Sequence, residues 1–254
     1  MGRVIAIANQ KGGVAKTTTS INLAASLAVA EKRVLLIDLD PQGNTTRGLG
    51  YNSDEITGSV YDLFSGRRAI SDLTIQTGIP KLDLLPSHID LVGAEVELVA
   101  VTGREAILKE HLMGEVDRYD FIIIDCPPSL GLLTVNALTA ADSLLIPLQC
   151  EYYAMEGLKQ LMNTVMLVQR SLNPAIEIEG ILLTMVDRRN NLSNQVSSEI
   201  RTHFGNQVFK RAIPRNITLA EAPSHGKPAL FYDALSRGAQ AYLAVAKEMM
   251  ERGA

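Results

Sequence analysis

The run Lys11-Gly12-Gly13-Val14-Ala15-Lys16-Thr17-Thr18 gathers two lysines, two glycines and two hydroxyls into eight residues. It follows an apolar run, Val4-Ile5-Ala6-Ile7-Ala8, and precedes a helix-like stretch from Ser20 to Val29. A strand, a glycine-containing loop and a helix in that order aim backbone N–H groups and the positive end of a helix at one point, which makes a cradle for phosphate. Lys16 is placed to reach the outer phosphates, and the Thr17 hydroxyl falls where such a loop sets a Mg²⁺ ligand. The strict pattern G-x-x-x-x-G-K-[ST] nevertheless fails. Its glycine positions fall on Gln10 and Ala15, and an extra lysine, Lys11, opens the loop.

Two later segments supply carboxylates. In Asp38-Leu39-Asp40-Pro41-Gln42-Gly43-Asn44 the acids stand at i and i+2 at the end of an apolar strand, so both point the same way. Pro41 ends the strand and lets both approach the phosphate side. Phe121-Ile122-Ile123-Ile124-Asp125 is an apolar strand ending in an acid, the Walker B form, followed by Cys126-Pro127-Pro128-Ser129-Leu130-Gly131. Asp125 is expected to hold Mg²⁺ through water. Phosphoryl transfer needs an in-line water and charge neutralisation more than a strong base, so a carboxylate and a metal suffice.

Taken together, K-G-G-x-x-K-[ST], D-x-D-P-Q-G-N and D-x-P-P-S-L-G resemble the deviant Walker A branch of P-loop ATPases, the ParA/MinD branch, and within it the ParA/Soj partition ATPases. The resemblance implies ATP and Mg²⁺ as cofactors, cradled by Lys11 to Thr18. It implies that Lys11 reaches the nucleotide of a second protomer, so that the ATP state is a homodimer. Lys11, Lys16 and Asp40 become the catalytic residues, with Asp40 positioning or activating the attacking water. Thr17, Asp40 and Asp125 become the metal-side residues. The family usually has Gly at position 15, so Ala15 adds a methyl beside the phosphate path. Pro214-Arg215-Asn216 resembles the family's loop around the adenine, which assigns Pro214 and Asn216 to the nucleotide. No Asn-Lys-x-Asp sequence is present, so ATP is expected over GTP. Gln149-Cys150-Glu151-Tyr152-Tyr153-Ala154 resembles the family's segment facing the dimer interface.

The same resemblance implies non-specific binding to double-stranded DNA and stimulation of hydrolysis by a ParB-type centromere-binding partner. Basic residues of the C-terminal third carry the DNA expectation: Arg188, Arg189 and Arg215, with Arg201, Lys210 and Arg211 nearby. Arg189 matches the arginine of the family's T-M-x-D-x-R-x-N-L motif. The family's second basic position falls on Thr218. A net charge of −4 excludes a globally basic nucleic-acid binder, so any DNA contact is local. The alternative is a MinD-like division-site ATPase, which needs a basic amphipathic terminal helix. Tyr242 to Arg252 is balanced in charge and reads as a packing helix.

The elements that position these residues alternate strand and helix. Strands are expected at 4–8, 34–37, 82–85, 121–124, 144–147, 178–184 and near 212–214. Helices are expected at 17–30, 95–112, 132–140, 155–172, 195–204 and 237–251. Continuously apolar strands are buried on both faces, as in a parallel sheet, so the fold is α/β, doubly wound and mostly parallel, with ligands at the carboxyl ends of the strands. Residues 43–71 read as a surface excursion around one short helix, 60–64. The 254 residues are expected to form one ParA-type ATPase domain, 1–254, without an N-terminal helix-turn-helix module. No apolar run approaches a membrane span and no signal peptide is legible, so a cytoplasmic protein is expected, and the resemblance implies that it associates with the nucleoid. Cys126 and Cys150 read as core thiols rather than ligands of an iron–sulfur cluster. His88, His111, His203 and His225 lack metal-ligand spacing.

Overall fold

The computed structural model describes residues 2–252 apart from Tyr152, Tyr153 and Arg188. The expected aromatic pair and one expected DNA-side arginine thus lie outside the described residues. Seven strands form one sheet: β1 (Arg3–Ile7), β2 (Val34–Asp38), β3 (Ile75–Gln76), β4 (Leu82–Leu85), β5 (Phe121–Asp125), β6 (Ser143–Gln149) and β7 (Glu177–Thr184). Their order is β3-β4-β2-β5-β1-β6-β7. Every neighbouring pair is parallel except β3 with β4.

Alternate side chains of each strand enter opposite cores. Val4, Ala6, Leu35, Ile37, Ile122, Ile124, Leu144 and Ile146 face one side, and Ile5, Ile7, Val34, Leu36, Phe121, Ile123 and Leu145 the other. Helix α1 (Lys16–Val29) and the C-terminal helix α5 (Arg237–Arg252) cover the second face. Helices α2 (Leu132–Ala140), α3 (Ala154–Ser171) and α4 (Asn191–Phe204) cover the first. Burial on both faces explains why the strands read as unbroken apolar runs. The chain runs from β1 to β2 on one side of the sheet and to β6 and β7 on the other. The loop after β1 therefore opens at the switch point where such folds bind ligands.

Three expectations need correction. Residues 95–112 do not form one helix: Leu91–Glu97 runs into a 3₁₀ turn at Leu98–Ala100, and a separate helix spans Ile107–Leu112. Gly103, at φ 77°, breaks the run between them. No strand forms near 212–214 among the described residues; that segment contributes the isolated parallel bridge Val186↔Pro214. Residues 43–71 are not a surface excursion either. Thr45, Thr46, Val60, Leu63, Phe64 and Ile70 are buried there, and the Val60–Phe64 helix is fixed by a capping box between Ser59 and Asp62.

Candidate functional site

The loop between β1 and α1 is held at both ends by polar side chains. Asn9, buried, donates from Nδ2 to the Pro147 carbonyl at the end of β6 (2.8 Å), and its Oδ1 accepts from the Lys11 amide (3.0 Å). Thr184, at the end of β7, donates to the Val14 carbonyl (3.0 Å). Gly13 lies at φ 73°, which glycine adopts freely. Ala15, the N-cap of α1, lies at φ 68° without that freedom. Side chains built on Gly12 or Gly13 would meet nothing within 4 Å, so the loop borders open space.

Lys16 points back into this loop. Its Nζ donates to the Lys11 carbonyl (3.1 Å), the residue is 7% exposed, and no acid pairs with it among the described residues. Burial lowers its pKa, while the nearby charges of Asp125, Cys126 and Asp40 act in the opposite sense. A desolvated ammonium without a counter-ion is costly unless an anion arrives to share it. Lys11, half-exposed on the rim, forms an ion pair with Glu151 just past β6.

The carboxylates converge on the same point. Asp38 and Asp125 are register partners at the ends of β2 and β5, and both are fully buried. Asp125 accepts from Ser20 Oγ (2.8 Å) and Thr45 Oγ1 (2.7 Å). Burial pushes Asp125 up to about 6. Asp38 accepts from the Thr46 amide (2.8 Å) and Thr46 Oγ1 (2.7 Å), and from the Asp40 amide (3.3 Å). Burial and then the charge of Asp125 push it up to about 7. Asp38 thus anchors the loop that follows it. Asp40, nearly buried, accepts from the Gln42 amide (2.9 Å). A cleft beside Thr17 and Thr18 is walled by Asn44, Arg47 and Pro223.

The structure therefore brings Lys11–Thr18, Asp40 and Asp125 together. Pro214 joins this side through its bridge to Val186, two residues beyond Thr184. Asn216 follows, and its Oδ1 is buried without a partner. Arg215 and Arg189 are exposed and both act on Asp187. Arg189 is clamped by that acid, Nε to Oδ1 at 3.1 Å and Nη2 to Oδ2 at 3.0 Å. Thr218 is buried, so the position matched to a basic residue does not face solvent. Arg201 is engaged with the Phe209 carbonyl (3.1 Å). Cys126 and Cys150 are buried free thiols, and burial raises the latter's pKa to about 11. Asn9, Ser20, Thr45, Thr46 and Thr184 were not singled out from the sequence. Only Ser20 carried a legible signal, being one helical turn after Lys16.

Residues present fit a nucleoside triphosphate with magnesium. Lys16 lacks an anion, the glycines leave room for one, and Thr17 with Asp40 and Asp125 forms the oxygen set that Mg²⁺ prefers while keeping several waters. Fold and site together define a P-loop ATPase of the ParA/MinD branch. Residues 2–178 match the AAA domain family. The chain is 56% identical over 253 residues to the sporulation initiation inhibitor protein Soj of Bacillus subtilis, covering 100% of both chains. It is 56% identical over 252 residues to the chromosome partitioning protein ParA of Myxococcus xanthus, covering 99% of this chain and 89% of that one. It belongs to the Soj/ParA family of partitioning ATPases. Among solved structures, it superposes with TM-score 0.87 on the cobyrinic acid a,c-diamide synthase of Mycobacterium smegmatis, which holds ADP and magnesium. That protein is 40% identical, and the match covers 98% of this chain and 94% of that one.

Proposed function

We propose that residues 1–254 work as one ATP-driven switch for DNA partition, acting in the cytoplasm at the nucleoid. ATP with Mg²⁺ joins two protomers, the dimer holds double-stranded DNA without sequence preference, and hydrolysis, stimulated by a ParB-type partner, releases it. The observation that carries this reading is Lys16, a buried ammonium at a helix N-terminus that forms no ion pair among the described residues. A triphosphate supplies the missing negative charge.

In this reading the loop amides and Lys16 bind the β and γ phosphates, and Lys11 leaves Glu151 to reach the partner's nucleotide. Thr17 and Asp125 would hold Mg²⁺, which would neutralise charge on the phosphates. Both Asp125 oxygens already accept from hydroxyls, which favours a water-mediated role. Asp40, whose Oδ1 is fixed by the Gln42 amide, orients the attacking water along the phosphate axis. Pro214 and Asn216 border the adenine. Arg188, Arg189 and Arg215 meet DNA phosphates, contacts that carry no sequence information.

The apolar face of α5 is used against α1, with Tyr242, Val245, Ala246 and Met249 buried. No helix among the described residues is long and apolar enough to cross a membrane. With its apolar face packed on α1, the terminal helix supports the partition reading over the MinD-like alternative. Asp40→Ala tests the assignment directly. It is expected to keep ATP affinity, lose at least about 100-fold in turnover, and leave a long-lived dimer; retained hydrolysis would refute the role of Asp40.

A further inference from the structure

The loop that carries Asp40 is held at both ends. At its start the Leu39 amide donates to the Asp125 carbonyl (2.9 Å), and the Asp40 amide donates to Asp38 Oδ1 (3.3 Å). It turns at Gly43, whose φ of 61° suits glycine, and the Gly43 amide donates back to the Asp40 carbonyl (2.9 Å). At its far end two consecutive threonines, both wholly buried, enter the short helix Asn44–Gly48. Thr46 gives its amide and its hydroxyl to Asp38 Oδ2, at 2.8 and 2.7 Å. Thr45 gives its hydroxyl to Asp125 Oδ2, at 2.7 Å.

These two threonines do different things. Asp38 lies 8 residues before Thr46, so that pair closes the loop on itself and sets its shape. Thr45 reaches 80 residues along the chain, to the end of the neighbouring strand β5, and so sets where the closed loop stands. The same carboxylate holds the helix that follows the phosphate cradle, since Asp125 Oδ1 accepts from Ser20 Oγ (2.8 Å), one turn after Lys16. One buried carboxylate therefore joins α1 to the Asp40 loop. A threonine hydroxyl has a single proton to give, and deleting it leaves a buried charged oxygen short of a donor. Displacing a reacting group by about 1 Å costs up to roughly a hundredfold in rate.

We propose that Thr45 is a positioning residue for ATP hydrolysis: its hydroxyl, tied to Asp125, sets the Asp40 carboxylate in register with the phosphate cradle. The inference rests on the role given to Asp40 above. Basal ATP hydrolysis and backbone hydrogen exchange test it on the full chain, in Thr45→Val, Thr45→Ser and Asp40→Ala. Valine keeps the shape of threonine and removes the donor; serine keeps the donor and removes the methyl. A residue that served packing alone would make the serine variant the worse of the two.

Thr45→Val is expected to lower kcat about ten- to a hundredfold with KM for ATP within about twofold, and Thr45→Ser to keep most of the rate. Without nucleotide, the amides from Gln42 to Gly48 are expected to exchange at least about tenfold faster in Thr45→Val and at the original rate in Thr45→Ser. Equal losses in both variants, a greater loss in the serine variant, a raised KM with kcat intact, or unchanged exchange in Thr45→Val would overturn the proposal. An undiminished kcat in Thr45→Val beside an inactive Asp40→Ala would overturn it and leave the role of Asp40 standing. Retained turnover in Asp40→Ala would remove the group that Thr45 is held to position, and both would fall.

Discussion

At the scale of single residues, Ala15 sits at φ 68° where α1 begins. Left-handed backbone costs an L-residue about 1–2 kcal/mol, and glycine in its place loses roughly 0.4–1 kcal/mol through unfolded-state entropy. Ala15→Gly is therefore expected to stabilise the nucleotide-free protein by about 0.5–1 kcal/mol, read as a higher urea midpoint; a lower midpoint would show that the loop tolerates the methyl without strain. Lys11 offers a second test, because its pairing with Glu151 opposes the proposed reach into a second protomer. A half-exposed ion pair contributes little, on the order of 0.2–1 kcal/mol. Glu151→Gln is accordingly expected to lower the ATP concentration for half-dimerisation by roughly two- to fivefold, measured by sedimentation. A rise instead would place Glu151 among the groups that hold the dimer together.

At the scale of elements, the site depends on side chains that stitch strand ends to the segments after them. Asp38 and Asp125 hold their protons to higher pH in the folded chain than in the unfolded one, at about 7 and about 6. The native state thus binds more protons, and this contribution to stability is full below about pH 4 and lost as pH rises toward 7. Thermal melts of nucleotide-free protein are expected to show Tm rising from pH 8 to pH 6, with Asp38→Asn flattening the slope; a Tm that falls over that range would contradict the shared burial. The α1–α5 contact is tested by Tyr242, whose hydroxyl meets Thr19 Oγ1 at 3.0 Å in the core. Tyr242→Phe is expected to cost about 1–2 kcal/mol. Most strands and the long helices were legible in the sequence because burial on both faces leaves unbroken apolar runs with helical periodicity between them. The acids and lysines of the site were legible through their spacing at strand ends. The break at Gly103 and the burial of residues 43–71 were not, since the first needs a backbone angle and the second depends on which core Thr45, Thr46 and Leu63 reach. Thr184 escaped notice for the same reason: its partner, Val14, is 170 residues away.

At the scale of the whole molecule, a net charge of −4 means that the proposed DNA contacts must be local. The pairing of Arg189 with Asp187 partly offsets the charge that DNA would meet there. Asp187→Asn is expected to raise DNA affinity several-fold at low salt, while Arg189→Glu lowers it without changing ATP affinity; equal retention by both variants would move the contact elsewhere. The central claim is that nucleotide state governs attachment to DNA. Co-sedimentation with unrelated duplexes, in ATP, in ADP and without nucleotide, tests it most directly. The account predicts sequence-independent retention with ATP alone, prolonged by Asp40→Ala. Equal retention in all three states, or none in any, would contradict it.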